Sequence, residues 1–256
     1  MYHDIVGGVD PDESGFPGKG AAEYKLTAKE FERHLKAISH TAKIPPVSIE
    51  DVIQSGDTEE SWLLTFDDGG VGAYLYASDL LERFNWRGHF FVTTNHIGQR
   101  SFLSGKQIRE LRDRGHVIGS HSCSHPSRMD RLKYEEIVAE WRRSLSVLSD
   151  VIGEGVRTAS VPAGFYTTRI ARAAGEAGIK VLFTSAPGCE KKTVGECLIL
   201  GRYTVRRKTA PSTVAALTAG KMAPHLQQVL LWEMKRIPKL LPEHRYEQLA
   251  RLLRKR

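Results

Sequence analysis

Ser61-Trp62-Leu63-Leu64-Thr65-Phe66-Asp67-Asp68-Gly69-Gly70 is the stretch that decides how this chain is read. Its apolar run stops at two acids and two glycines, the pattern of a buried parallel strand that delivers polar groups at its carboxyl end. Working outward, a helix is expected over Ala73–Phe84, then a strand at Gly88–Thr93. A helix over Ser104–Arg114 follows, with Ser104 as N-cap and Gly115 as stop, and then a strand at His116–Ser120. Beyond the loop His121–Arg128 the pattern predicts a helix at Tyr134–Val151, a strand near Thr158–Val161 and a helix at Thr168–Ala177. Strands at Ile179–Thr184 and Cys197–Val205 complete the series. Strand and helix alternate throughout, which argues for a parallel α/β sheet or barrel.

Upstream, residues 2–6 read as a short strand, and Gly7–Gly20 is a long Gly/Pro/Asp-rich connection. Ordinary connections are about 4–6 residues, so this one is either mobile or functional. Thr27 and Glu30 have capping-box spacing, and Phe31, Leu35 and Ile38 share one helical face. That helix must end before Pro45-Pro46. From Thr213 onward the chain is expected to be helical, with breaks near Pro224 and Pro238.

Composition excludes several classes. With 256 residues, 41% hydrophobic and 26% charged, the chain can bury a full core and is neither disordered nor fibrous. Its three cysteines form no C-x-x-C pair, which argues against a disulfide framework or a thiolate zinc site and for a reducing compartment. No apolar run approaches the ~20 residues of a membrane span, and no export signal opens the chain. The expectation is therefore a cytoplasmic protein, or a periplasmic or extracellular one if the true N-terminus lies upstream. The net charge of +7 suggests an anionic partner until it is located: residues 221–256 carry +6 of it. The remaining 220 residues are nearly neutral, and no basic-aromatic module is present, so no nucleic-acid partner is expected. The basic, leucine-rich tail could instead touch an anionic membrane surface, or pack back on the body with a solvated basic face.

Two clusters fall at predicted strand ends, Asp67-Asp68 and His121-Ser122-Cys123-Ser124-His125-Pro126. One aspartate and two imidazoles make a three-ligand set for a borderline cation with a position left for water or substrate. The second aspartate would then be free to take a proton.

Thr65-Phe66-Asp67-Asp68-Gly69 and His121-Ser-Cys-Ser-His125-Pro resemble the first two motifs of the polysaccharide deacetylases, the NodB-homology proteins of carbohydrate esterase family 4. The resemblance spans about 62–185. It implies a distorted (β/α)7 barrel occupying residues 1–220, with 221–256 as a basic amphipathic helical extension. It also implies a metal-dependent hydrolase that removes N-acetyl groups from an amino sugar or polysaccharide precursor. In these terms Asp67 is the base and Asp68, His121 and His125 hold the metal, zinc first, with cobalt, nickel or manganese as alternatives. Pro162, Ala163, Gly164 and Ser122 would line the oxyanion and substrate pocket. Ser160 stands where the family has an arginine, and Ala163 where it has an aromatic. Thr184-Ser-Ala-Pro-Gly188 replaces the Asp-x-x-Trp motif, and no Leu-x-His follows. Met1-Tyr-His-Asp-Ile5 resembles the N-terminal segment of the poly-N-acetylglucosamine deacetylase branch, which makes His3 the expected acid. The alternatives are a non-catalytic carbohydrate-binding relative and a deacylase of a nucleotide- or lipid-linked small substrate.

Overall fold

The structure is a computed structural model that describes residues 1–8, 10–55 and 61–239. Strand β1 (Asp4–Val6) pairs in parallel with β2 (Lys25–Thr27), and the short helix α1 (Lys19–Ala22) lies in the connection between them. Helix α2 (Ala28–Ser39) begins at the expected capping box. Glu30 N donates to Thr27 Oγ1 while Thr27 N donates to the Glu30 carboxylate, so two otherwise unpartnered amides are satisfied. Helix α3 (Ile49–Ser55) precedes the deciding stretch.

That stretch is a strand, β3, only at Thr65–Phe66. Upstream of it the backbone is drawn elsewhere, with Val47 N donating to Trp62 O and the Trp62 indole to Ile44 O. A π-helical turn (Ala73–Ala77) runs into α4 (Ser78–Glu82), and the alternation continues as β4 (His89–Val92), α5 (Gly105–Asp113), β5 (Val117–Ser120), α6 (Tyr134–Ile152), β6 (Thr158–Ser160), α7 (Thr168–Glu176) and β7 (Val181–Phe183). Strands β8 (Lys191–Val194) and β9 (Cys197–Leu200) form a hairpin, and β9 joins β7 in parallel. The sheet order is β3-β4-β5-β6-β7-β9-β8, parallel except for β8.

Residues 1–2 bridge the two sides of this sheet. Tyr2 N donates to Thr65 O and Asp67 N to Tyr2 O on one side, while Val205 N donates to Met1 O on the other. The parallel sheet therefore curls into the distorted barrel expected of the α/β pattern. The strand expected at Cys197–Val205 stops at Leu200 because Gly201 is pressed against the carbonyls of Ala186 and Gly188, where a Cβ would not fit.

Side chains alternate across the barrel wall. Phe66 and Phe90 face outward, stacked 4.8 Å apart, among Tyr2, Phe31 and the helices. Phe91, Val181 and Phe183 face the other way and pack with Ile49 and Val52 of α3. Helix α8 (Pro211–Thr218) leads to α9 (Met222–Lys239), which passes through both prolines expected to break it. Pro224 lies in the first turn, where a missing N–H removes no helical bond, and Pro238 is next to the last described residue. The remainder of the tail, 240–256, lies outside the described residues. No helix among the described residues is long and apolar enough to cross a membrane.

Candidate metal centre

Asp67 and Asp68 leave β3 together, but their side chains part. Asp68 has a left-handed backbone (φ 77°), and its Oδ1 lies 3.4 Å from His121 Nε2 and 3.6 Å from His125 Nε2. The ligand atoms of all three fall within 4.8 Å of one another. A tetrahedral ion with bonds of about 2.0–2.1 Å needs donors about 3.3–3.4 Å apart, so the carboxylate oxygen and imidazole nitrogens stand at the spacing of a zinc-sized cation. Burial alone would raise the Asp68 pKa, but the imidazoles of His121, His3 and His125 around it hold it below the ordinary value. Burial, with His121 adding to it, pushes His125 down to about 4, which keeps that ring a neutral lone-pair donor.

The other nitrogen of His121 selects the tautomer. Nδ1 is 2.6 Å from Ser160 Oγ and 3.1 Å from Ser160 O, so its proton is donated there and Nε2 presents the lone pair. The Ser160 hydroxyl donates onward to Asp67 Oδ1 at 3.2 Å. The loop bearing the two histidines is fixed from below by Glu140 of α6. Its carboxylate accepts Cys123 N at 3.0 Å, Ser124 N at 2.8 Å and the Ser124 hydroxyl at 2.8 Å. Ser122 is fully buried, and its Oγ accepts from His125 N at 3.1 Å, so it braces the ligand loop. Cys123 points to Asn95, not into the cluster.

An arginine does reach Asp67, from elsewhere in the fold. Arg202, just past β9, donates through Nη1 to Asp67 Oδ1 at 2.7 Å and through Nη2 to Asp67 Oδ2 at 2.8 Å, while its Nε holds Thr184 O at 3.0 Å. Both partners are buried, and the guanidinium lies over the rings of Phe91 and Phe183. Burial would raise the Asp67 pKa, but the Arg202 charge overrides it and holds the carboxyl well below the usual range. Arg169 is committed to the carbonyls of Asp130 and Leu132, and Arg157 is exposed. A charged residue one glycine past the apolar run Leu198-Ile199-Leu200 was the signal for Arg202, a looser form of the one that marks Asp67.

His3 is half-buried, and desolvation lowers its pKa against the opposing charges of Asp68 and Asp67. Its Nδ1 has no hydrogen-bond partner among the described residues. His89 and His116 do have partners. His89 Nε2 accepts from Ile49 N at 3.0 Å, and His116 Nδ1 accepts from Gly88 N at 3.1 Å. At the end of β6, Pro162 is buried, Ala163 is exposed with a left-handed backbone (φ 54°), and Gly164 (φ 69°) lies against Ser185 and the Trp232 ring. A separate apolar cavity of about 620 Å³ lies behind Arg202, bounded by Leu63, Phe183, Leu200 and Leu217; none of Asp67, Asp68, His121 and His125 lines it.

A family profile described as polysaccharide deacetylase matches residues 54–182. The chain belongs to the polysaccharide deacetylase family. It is 24% identical over 199 residues to YxkH of Bacillus subtilis, covering 76% of this chain and 66% of that protein. It is 30% identical over 136 residues to chitin deacetylase 1 of Cryptococcus neoformans, covering 53% of this chain and 28% of that protein. The chain thus spans less than two thirds of these relatives. Among solved structures, the Streptococcus pyogenes deacetylase PplD in complex with acetate aligns with a TM-score of 0.71 at 19% identity, covering 86% of this chain and 95% of that one. IcaB from Ammonifex degensii aligns with a TM-score of 0.64 at 21% identity, covering 84% and 99%.

Proposed function

We propose that this family member hydrolyses the N-acetyl group of an amino sugar or its oligomer, with a divalent cation, zinc in the first place, held by Asp68, His121 and His125. The observation that carries this reading is the ionised Asp67, clamped by Arg202 beside a donor set of the right spacing. A bound cation supplies Lewis acidity, polarising the acetyl carbonyl and acidifying water. Asp67 accepts the proton of the attacking water; Arg202 and the Ser160 hydroxyl leave it ionised and oriented for that task. The amides of the Ala163–Gly164 turn help to hold the oxyanion, since a backbone N–H needs no particular side chain. His3 delivers a proton to the departing sugar nitrogen, and its lowered pKa makes its imidazolium a stronger donor. Arg202 is a positioning residue here, taking the place of the absent motif arginine.

Residues 1–220 form the catalytic body in this reading, and 221–256 an extension whose first helix leans on it. Gln228 exchanges hydrogen bonds with the Thr204 backbone, and His225 bonds the Tyr203 hydroxyl. The outer stripe of that helix, Met222, Leu226, Leu230 and Met234, is exposed and supports contact of the basic tail with an anionic membrane surface. Equal flotation with liposomes of the full chain and a version ending at Gly220 would remove that partner.

The test of the main reading is acetate release from a panel of N-acetylated oligosaccharides and sugar nucleotides, with and without chelator. Chelator-sensitive release that disappears in Asp67→Asn is expected. Sugar binding without release anywhere in the panel would overturn it in favour of a carbohydrate-binding role.

A further inference from the structure

The long connection ahead of β2 is held by buried polar contacts and is not part of the chemistry above. Lys25 is buried, and its ammonium donates to the carbonyls of Pro11 (2.8 Å), Ser14 (2.6 Å) and Phe16 (2.6 Å), so all three of its N–H groups are used to hold the loop in place. The Ser14 hydroxyl donates to Asp4 Oδ1 at 2.7 Å and accepts from Gly72 N at 2.7 Å, and Gly15 N donates to Ser101 O. An ammonium ion, a carboxylate and a serine are thus buried to fix a dozen residues whose apolar content would not fix itself. What they fix is two aromatic rings at the centre.

The Phe16 ring lies 4.7 Å from that of the ligand His125, and the Tyr24 ring lies 4.7 Å from that of His3. Phe16 is buttressed by Phe102 at 5.1 Å, and Tyr24 by the Arg206 guanidinium at 5.3 Å. Both rings are only half-buried, although the molecule has an aromatic core a few residues away that could enclose them. Rigid aromatic surface left open beside a polar reacting centre suits a ligand with an apolar face and a polar rim. A pyranose ring is such a ligand, with its C–H face on the aromatic and its hydroxyls turned to water.

We propose that Phe16 and Tyr24 form the sugar-ring subsite, one on the metal-ligand side and one on the His3 side, with Lys25 as the residue that positions them. The inference rests on the amino-sugar reading and names its specificity determinants. Both residues lie outside 54–182, so the metal ligands and Asp67 come from the part matched by the family and the grip on the ring from the flanking segment that also carries His3. A sugar ring held between Phe16, beside His125, and Tyr24, beside His3, would be oriented toward the reacting groups, which is where positioning is converted into rate.

The experiment measures binding without turnover. The full chain carrying Asp67→Asn is loaded with zinc and titrated calorimetrically with tri- and tetra-N-acetylglucosamine. Phe16→Leu, which keeps apolar cover over His125, and Tyr24→Leu are each expected to weaken binding about tenfold or more. Phe16→Trp and Tyr24→Phe should restore it, because they return a ring face. Zinc affinity, read by competition with a chelating dye, should stay within about threefold in all four variants. Unchanged sugar affinity in both leucine variants would overturn the subsite, as would binding that fails to return with the aromatic replacements. No oligomer binding in the Asp67→Asn parent would overturn it as well. Sugar binding that depends on Phe16 and Tyr24 in a protein whose wild type releases no acetate would leave the subsite standing and remove the deacetylase reading.

Discussion

Replacing Arg202 by Met tests the pair at the heart of the site without any substrate. The two charges are 5% and 3% exposed and meet through bonds of 2.7 and 2.8 Å. With the guanidinium gone, the Asp67 carboxylate keeps only the Ser160 hydroxyl at 3.2 Å. Removing one partner of a buried pair typically costs about 3–5 kcal/mol, because the other charge is left desolvated and unpaired. The carboxyl can escape by taking up a proton. Against an ordinary aspartate pKa of ~3.9, doing so at pH 7 costs about 4 kcal/mol, which sets the ceiling. At pH 5 the same escape costs only about 1.5 kcal/mol. Urea unfolding in chelator-containing buffer should therefore show a loss of about 4 kcal/mol at pH 7 that shrinks by more than half at pH 5. Asp67→Asn combined with Arg202→Met should be more stable at pH 7 than Arg202→Met alone, since no charge is then stranded. A loss below about 1 kcal/mol at pH 7, or one indifferent to pH, would refute the reasoning.

Further outcomes follow from the same contacts. Ser160→Ala leaves His121 Nδ1 only the Ser160 carbonyl at 3.1 Å and should lower zinc affinity about tenfold in a competition titration with a chelating dye. Glu140→Ala removes three bonds from the ligand loop and should weaken zinc by about tenfold while helix content measured by circular dichroism stays unchanged. Burial lowers His89 from 6.5 to about 4, so the unfolded chain binds the extra proton and stability, full above pH 6.5, is lost as pH falls from there toward 4. That loss is about 3 kcal/mol and should be reduced in His89→Gln when denaturant midpoints are compared at pH 7 and 4.5.

The parts of the fold legible in the sequence were those set by local chemistry. The capping box at Thr27 and the N-cap at Ser104 announce α2 and α5, and both caps are formed. The acids after Phe66 and the histidines after Ser120 stand at strand ends as their neighbours imply. What was hidden depends on distant partners. Strand β8 is exposed and reads Lys-Lys-Thr-Val, so no apolar alternation marks it; pairing with β9 makes it a strand. Strand β2 is brief and exists because β1 lies beside it. Arg202 is 135 residues from the aspartate it clamps, and only barrel closure brings them together. Ser122 looked available to a ligand because its neighbours are, yet its hydroxyl is spent on the His125 amide.

Among the described residues, five non-glycine residues have left-handed backbones, Asp68, Asn85, Ser122, His125 and Ala163, and four of them are at the centre. Each such conformation costs about 1–2 kcal/mol for an L-residue, so backbone strain collects at the ligand cluster, where the surrounding fold holds it. The ligands therefore lose little conformational entropy on binding, and affinity is set by the donor atoms and their protons. Loading with metal should raise the melting temperature while leaving far-ultraviolet dichroism and amide exchange in the ligand loop almost as they were.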